Sequence, residues 1–346
     1  GGISYKIVKS IDISSASVSK IQKDDILIST VRTYLGGIGI VTSTDKNLVA
    51  TKALIVLRKM KKDISKYYLF GILRSKFFID QVSMILNASM YPRMEKEYFD
   101  KLIIPFPTQK HNDKPKDIEK LVSLITQNII DKEEQIKFKN QLIDSQIEKE
   151  LKENQKSKAL KYSYPKLSDL KKENRLDTTI YTPKYKVFEN LILNYNDGYF
   201  FLNQKLVSPG VTPKDYFFSD IKKSDKFKDW ITPKNIEHRQ LSSRTFIYTK
   251  TITKIKKYSL VLNGIRYVGN GIFIENEKEF FTNQNMLIIN QFKEQSKQLF
   301  LFCFLTSNIG KSMQISRRNF GIVPILYTEN LCKIPIPNFE EKKQKE

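Results

Sequence analysis

Residues 19–28 of the chain read SKIQKDDILI, and residues 253–262 read TKIKKYSLVL. Each stretch is typical of a short β-hairpin arm that leads into an apolar strand. Further matching segments follow both stretches in the same order and at nearly the same spacing. Because chance supplies single matches but not an ordered series, this long-period repeat predicts that the chain contains one domain twice.

The matching segments run through a glycine turn, a buried strand, a helix and a proline-rich end. The separation is 232 residues from Gly39 to Gly271, from Ser75 to Ser307 and from Pro92 to Pro324, and 230 from Pro105 to Pro335. We expect four glycines to serve turns with positive φ rather than to bind a ligand, namely Gly37, Gly39, Gly269 and Gly271. The repeat predicts two copies of an α+β domain, with paired segments at 37–41 and 269–273, 53–57 and 285–289, 67–78 and 298–309, and 104–107 and 334–337.

Between the two copies lies a sequence with a different period. Asp113 can cap a helix whose first turn holds Pro115, where the missing N–H of proline is harmless. Apolar residues then recur by threes and fours over roughly 40 residues, or about 60 Å of helix. We predict a long coiled-coil-type helix whose seam needs a partner helix; the alternative is a single surface helix packed on one domain. The seam residues are Ile118, Val122, Ile125, Ile129, Ile136, Ile143 and Ile147, with Lys132 and Asn140 in its polar positions.

This pattern divides the chain into four predicted parts. Residues 1–112 form the first copy of the domain, which lacks its opening segment, and residues 113–158 form the long helix. Residues 159–339 form the second domain, and residues 340–346 begin a second long helix. We therefore expect the sequence to be a fragment of a longer symmetric protein, or of a fusion.

The charge of the chain favours a polyanionic partner. Lys and Arg number 59 against 37 Asp and Glu, which gives a net charge of +22. Such an excess points first to nucleic acid, although a lysine-rich proteome that merely solvates its surfaces would give the same count. Cys303 and Cys332 are too few for a disulfide framework, and the longest apolar run, residues 299–305, is too short to span a membrane. We predict a soluble, cytoplasmic protein.

Motifs for catalysis are missing from the sequence. We find no cofactor-binding glycine loop, no Asn/Asp-Pro-Pro-aromatic tetrapeptide of adenine methyltransferases, and no Gly-Lys-Ser/Thr phosphate loop. His111 and His238 stand apart from cysteine and from acidic clusters, so a zinc site is not expected. We predict a non-catalytic protein without a metal or cofactor of its own.

The order of the motifs resembles the specificity subunit of Type I restriction–modification enzymes, the target-recognition-domain family. The resemblance rests on residues 23–27 (KDDIL) followed by 37–39 (GIG), on the Ile-Pro-Phe-Pro and Ile-Pro-Ile-Pro ends that lead into helices, and on residues 175–177 (RLD) with 181–185 (YTPKY). The second copy departs from the pattern, with KYSL at 257–260 where the first has DDIL at 24–27.

The resemblance implies a function that no single motif shows. Two target-recognition domains each read one half of a bipartite duplex DNA site, and antiparallel helices hold them apart and dock methyltransferase subunits. Those subunits would bind S-adenosylmethionine, and a motor–endonuclease subunit is a further partner. Two alternatives stay open: the C-terminal specificity region of a fused restriction–methylation enzyme, and a basic scaffold that does not bind DNA.

Candidate DNA contacts lie in loops at corresponding positions of the two copies. Arginine can bind guanine through two hydrogen bonds and asparagine can do the same with adenine, whereas lysines suit phosphates. The first copy contributes Arg32, Thr33, Tyr34, Ser89, Tyr91 and Arg93, and the second contributes Lys222, Lys223, Arg239, Arg244, Arg266, Tyr267, Arg317, Arg318 and Asn319.

Overall fold

Ile26–Ser29 and Leu260–Asn263 are the central strands of two separate sheets in a computed structural model of the chain. The chain divides into unit 1, residues 1–139, and unit 2, residues 140–346. Both apolar stretches are central because each pairs with a neighbour on both sides, which buries nearly all of their side chains. The structure describes residues 3, 5, 8, 18–58, 64–86, 93–107, 115–157, 164–173, 175–211, 214, 216–237, 245–249, 254–319 and 321–345.

Unit 1 combines a three-stranded antiparallel sheet with helices that cover one face. Its elements are β1 (Val18–Lys20), β2 (Ile26–Ser29), β3 (Ile38–Ile40), β4 (Val49–Thr51), β5 (Leu54–Leu57), α1 (Lys66–Leu73), α2 (Lys76–Leu86), α3 (Lys96–Phe99) and α4 (Pro115–Glu153). The sheet order is β3-β2-β5, and β1 pairs with β4. Apolar side chains from β2 and β3, including Ile26 and Ile40, form one core with Phe70 of α1 and Phe78 of α2.

Unit 2 repeats this arrangement and adds strands to it. Its elements are α5 (Leu167–Glu173), α6 (Pro183–Leu193), β6 (Tyr199–Phe200), β7 (Val207–Pro209), β8 (Tyr216–Ser219), β9 (Phe227–Ile231), α7 (Pro233–Glu237), β10 (Phe246–Thr249), β11 (Lys254–Ile255), β12 (Leu260–Asn263), β13 (Gly271–Phe273), β14 (Lys278–Thr282), β15 (Met286–Ile289), α8 (Gln295–Thr306), α9 (Asn308–Ser316), α10 (Thr328–Leu331), β16 (Ile336–Pro337) and α11 (Glu341–Lys345). One sheet has the order β13-β12-β15-β7 and another β11-β14-β9-β10-β8, in which β14 and β9 run parallel.

Equivalent hydrogen bonds confirm that unit 2 is a second copy of the α+β domain in unit 1. The hydroxyls of Ser75 and Ser307 each accept a backbone N–H three residues further on, at Phe78 and Gly310. Each serine thereby breaks the single predicted helix into two, α1 and α2 in unit 1 and α8 and α9 in unit 2. The long helix between the copies is also confirmed, since α4 is 39 residues long.

Two details of the predicted alignment were wrong by one or two residues. Positive φ occurs at Gly36 and Gly269, so Gly36, and not Gly37, corresponds to Gly269. Gly37, Gly39 and Gly271 have no positive φ; Gly271 is needed because a Cβ there would lie 2.3 Å from Leu262 Cδ2. At the proline-rich ends, the bonds Leu102 N–Phe99 O and Ile334 N–Leu331 O show that the separation remains 232 residues.

The first part of α4 packs on unit 1. The backbone N–H of Ser65 donates to Glu119 Oε1 over 2.7 Å, and Ile130 joins the core of the unit. Gly71 of α1 permits the close approach, because a Cβ there would lie 2.7 Å from the Thr126 hydroxyl. Ile118, Ile125, Ile129 and Ile136 remain exposed on another face of the helix.

The last part of α4 packs into unit 2. Ile147 and Leu151 are buried in its core, and Ile143 packs against that core. Burial acts to raise the pKa of the Glu150 carboxyl, but hydrogen bonds from Lys343 of α11 and from Tyr195 outweigh it and lower that pKa. Burial, together with the hydrogen bond to Glu150, raises the pKa of Tyr195. The predicted seam therefore ends by Ile143, because from there its residues already have a partner within unit 2.

A polar pair beside the central strand differs in chemistry between the copies, and its first member is buried in both, as Asp25 in unit 1 and Ser259 in unit 2. Asp25 is 1% exposed, and its carboxylate accepts two hydrogen bonds from the guanidinium of Arg58, at 2.9 and 2.8 Å. At the same place in unit 2, the Ser259 hydroxyl donates to the side-chain oxygen of Asn290. A charged pair and a neutral pair thus fill equivalent positions.

Exchanging both members of the pair should therefore be tolerated better than exchanging one. We expect Arg58→Asn to destabilise unit 1, because the buried Asp25 carboxylate loses its cation. Adding Asp25→Ser should recover about 1–3 kcal/mol, the cost of a buried group left without its partner. Urea unfolding followed by circular dichroism measures both changes. A double variant less stable than the single Arg58→Asn variant would contradict this equivalence.

Candidate nucleic-acid interface

In each unit, two predicted loop segments lie side by side. Val31 forms a β-bridge with Arg93 in unit 1, and Ile265 forms one with Ile325 in unit 2. We call these segments the paired loops: residues 30–36 with 93–94 in unit 1, and residues 264–269 with 319 and 321–326 in unit 2. The bonds Met94 N–Thr30 O and Leu326 N–Gly264 O, both 2.7 Å, anchor the two pairs identically.

An arginine with a left-handed backbone occupies the same position in both paired loops. Arg32 has φ 51° and Arg266 has φ 56°. This conformation costs a residue with a Cβ about 1–2 kcal/mol, and such outliers cluster at functional sites. Both arginines are exposed. The structure thus holds the same cationic side chain at the surface twice, in a backbone conformation that glycine would adopt more easily.

The other predicted contacts of unit 1 differ in accessibility. Arg93 is exposed beside Arg32 in the paired loops. The prediction for Thr33 was wrong, because its hydroxyl is fully buried and donates to the carbonyl of Ser29 at 2.5 Å. Tyr34 is half-buried and packs against the core, which leaves only part of its ring at the surface.

In unit 2, the paired loops bring Arg266, Tyr267 and Asn319 together. All three are exposed, and the side-chain oxygen of Asn319 accepts a hydrogen bond from Asn330 at 2.6 Å. Arg318 is half-buried, and its Nε donates to the carbonyl of Ile315. Arg266 and Tyr267 directly follow the bridge residue Ile265.

Arg317 corrects the prediction for its position. Its side chain is 5% exposed and forms ion pairs with Glu173 and, at 2.7 Å, with Glu189. Arg175 in turn donates to the carbonyls of Arg317 and Arg318, at the C-terminal end of α9 where backbone acceptors lack helical partners. Arg317 therefore fastens α5 and α6 to α9, and its guanidinium has no access to DNA.

The remaining predicted residues lie apart from the paired loops. Lys222 and Lys223 are exposed in the turn after β8. Ser89, Tyr91, Arg239 and Arg244 fall outside the described residues, as do His111 and His238. Over the part of the chain that the structure describes, no group of three His, Cys, Asp or Glu residues could hold a metal ion.

An apolar loop tip in unit 2 escaped the sequence reasoning. Ile322 is 105% exposed, and its neighbour Val323 is exposed as well. In the sequence, the apolar residues ahead of Pro324 look like the end of a strand. In the structure, the bridge between Asn319 and Ile325 closes them into a loop. Gly321 and Pro324, which flank this tip, are the residues from which a loop could have been predicted.

Comparison with known proteins identifies unit 1. Residues 4–140 match the family model described as the Type I restriction modification DNA specificity domain. The chain carries a Type I DNA specificity domain. The matched residues coincide almost completely with unit 1, residues 1–139, and confirm the resemblance seen in the motifs. No curated protein shows a significant match to the chain.

Solved structures of specificity subunits are also similar to the chain. The HsdS subunit from Thermoanaerobacter tengcongensis is 13% identical, with coverage of 99% of this chain and 76% of that one, at a TM-score of 0.32. The S subunit of a Type I restriction-modification system from M. genitalium is 14% identical, with coverage of 94% and 75%, at a TM-score of 0.37. Among the described helices, none is long and apolar enough to cross a membrane.

Because Arg32 has a left-handed backbone, replacing it with glycine removes the side chain without introducing backbone strain. We expect Arg32→Gly to change the stability of unit 1 by less than about 1 kcal/mol, because relief of the left-handed strain offsets the greater freedom of glycine. Duplex DNA affinity should fall about tenfold, and the slope of log K against log salt should fall by about one.

Fluorescence anisotropy with a labelled duplex at several salt concentrations measures both effects. Lys46→Gly is the matched control, since it removes one positive charge from an exposed turn of the same unit outside the paired loops. Equal losses in the two variants would show that only the net charge matters.

Proposed function

We propose that the chain is a non-catalytic specificity subunit of a Type I-like restriction–modification complex. Each unit reads one half of a bipartite duplex DNA site through its paired loops, and α4 docks methyltransferase subunits. The observation that carries this proposal is the specificity-domain match over residues 4–140 together with the recurrence of the same hydrogen-bonded frame in unit 2. Methylation chemistry and S-adenosylmethionine belong to the partner in this proposal, and a motor–endonuclease subunit is a further partner.

The side chains in the paired loops support DNA as the ligand. Arg32, Arg93 and Arg266 are exposed cations, and Asn319 adds an amide that suits adenine. The net charge of +22 attracts the phosphate backbone at long range. Phosphate contacts position a protein on the duplex, while the few side chains that reach base edges select the sequence.

The exposed stripe on α4 supports a helical or protein partner. Ile118, Leu121, Ile125, Ile129 and Ile136 are each about half exposed, although their spacing is that of a coiled-coil seam. Val122 lies instead beside Gly71 of α1, because 3.6 residues per turn carry it toward unit 1. Burying this stripe would stabilise an assembly, since each half-exposed side chain would contribute about half of the roughly 1.5–3 kcal/mol that full burial of such a side chain provides.

Selection from a random duplex pool at moderate salt tests the function. We expect enrichment of two short half-sites at a fixed spacing, with the chain alone or with its co-expressed methyltransferase. A single half-site would assign recognition to one unit. Absence of enrichment in both conditions, with a salt-insensitive residual affinity, would overturn the proposal in favour of a basic scaffold.

Charged substitutions in the stripe test the docking role. We expect the triple change Ile125→Asp, Ile129→Asp and Ile136→Asp to abolish co-purification with the methyltransferase subunit while each unit stays folded, because these side chains are exposed in the free chain. The matched control is Leu124→Asp, Phe138→Asp and Leu142→Asp, three exposed apolar residues outside the seam of the same helix. Loss of docking in the control variant alone would place the partner on the other face.

A further inference from the structure

Unit 2 exposes large aromatic side chains on an edge strand that lies outside its paired loops. β8 (Tyr216–Ser219) is the last strand in the order β11-β14-β9-β10-β8. Tyr216, Phe217 and Phe218 are 43%, 51% and 46% exposed. Three consecutive exposed aromatic residues on an edge strand are a liability for a soluble protein, and such patches mark interaction sites.

The strand register sorts these aromatic rings onto two faces. Phe218 lies opposite Ile247 of β10, which lies opposite Lys228 of β9. Tyr216 and Trp230 share this face, with ring centroids 5.0 Å and 5.3 Å from Phe218. Phe217 is on the other face, where it stacks on Tyr248 at 4.7 Å. We call Tyr216, Phe218 and Trp230 the aromatic face.

Exposed lysines follow the strand that carries Tyr216 and Phe218. Lys222, Lys223 and Lys226 are exposed in the turn that follows β8. The Ser219 hydroxyl fixes this turn, because it donates to the carbonyl of Ile221 and accepts from its N–H. Asp220 and Asp225 lie in the same turn, so individual lysines rather than a strong local field would contact an anion.

The aromatic face is connected to the paired loops of the same unit. Trp230 is the penultimate residue of β9, and α7 follows directly. The first residue of α7, Pro233, accepts a hydrogen bond at 3.0 Å from the side chain of Asn263. Asn263 is the last residue of β12 and directly precedes the paired-loop segment that carries Arg266. This hydrogen bond links the chain that follows Trp230 to the start of the paired-loop segment.

We propose that the aromatic face, with Lys222 and Lys223, is a second DNA-contact surface of unit 2. The lysines bind phosphates and the rings pack against deoxyribose sugars, contacts that are tolerant of sequence. This inference rests on the proposed function and extends it. The paired loops would select the half-site, while the aromatic face strengthens and orients the complex.

Trp230 is the single tryptophan of the chain and reports on this surface directly. The experiment titrates the full chain with a fluorescein-labelled duplex taken from the selected pool, and records DNA anisotropy and tryptophan emission in parallel. We expect tryptophan emission to change with the same midpoint as the anisotropy. Binding without any change in tryptophan emission would overturn the inference and leave the proposed function intact, whereas no binding at all would contradict the proposed function.

Substitutions on the two faces of β8 complete the test. We expect Tyr216→Ala with Phe218→Ala to weaken DNA binding about tenfold without changing which half-sites are selected. Phe217→Ala, on the same strand but the opposite face, should stay within about twofold of the unchanged chain. If binding survives the double change, or if Phe217→Ala is equally damaging, the aromatic face is not a DNA contact. Sedimentation without DNA shows whether it joins copies of the chain instead, which would also refute it.

Discussion

The left-handed turn after each central strand is the constraint on which the candidate interface depends. Strands β2 and β12 are buried on both sides, so the chain must reverse within a few residues to reach β3 and β13. The reversal uses positive φ at Arg32 and Gly36 in unit 1, and at Arg266 and Gly269 in unit 2. The second position of each turn is a glycine, which adopts positive φ easily. The first position is an arginine, for which positive φ is less favourable. The turn thus couples the fold of the sheet to the presentation of a cation.

Strain by itself does not identify a functional residue in this chain. Asp24 and Tyr258 also have positive φ at equivalent positions, yet they differ in chemistry. Asp24 pairs with Lys66, whereas the ring of Tyr258 stacks against Phe273. A different local contact therefore stabilises the turn in each copy. Arg32 and Arg266 differ from this case because the same side chain recurs at the same place in both copies.

The sequence predicted the repeat, the strands and the long helix because these depend on local patterns. Ser75 and Ser307 recur at the predicted separation, and the apolar run of β12 is a buried strand in the structure. Burial of individual loop residues could not be predicted, because it depends on distant partners. Arg317 lies next to Arg318 in sequence, but only folding brings Glu173 and Glu189 to it. The glycine register failed for a related reason, since two adjacent glycines, Gly36 and Gly37, look alike until φ distinguishes them.

Under the proposed function, differences between the two copies distinguish residues that position a unit on the DNA backbone from residues that read bases. A bipartite site with unlike halves presents the same phosphate backbone to both units but different bases. On this proposal, residues that contact the DNA backbone can be identical in both copies, whereas residues that read bases must diverge. Arg32 and Arg266 would then belong to the first group. Arg93 of unit 1 is exposed, and its bridge to Val31 is matched in unit 2 by half-buried Ile325 and its bridge to Ile265. Under the proposed function, Arg93 would belong to the base-reading residues of unit 1. The exposed tip at Ile322 and Val323 would have the corresponding role in unit 2, where apolar side chains can contact thymine methyl groups.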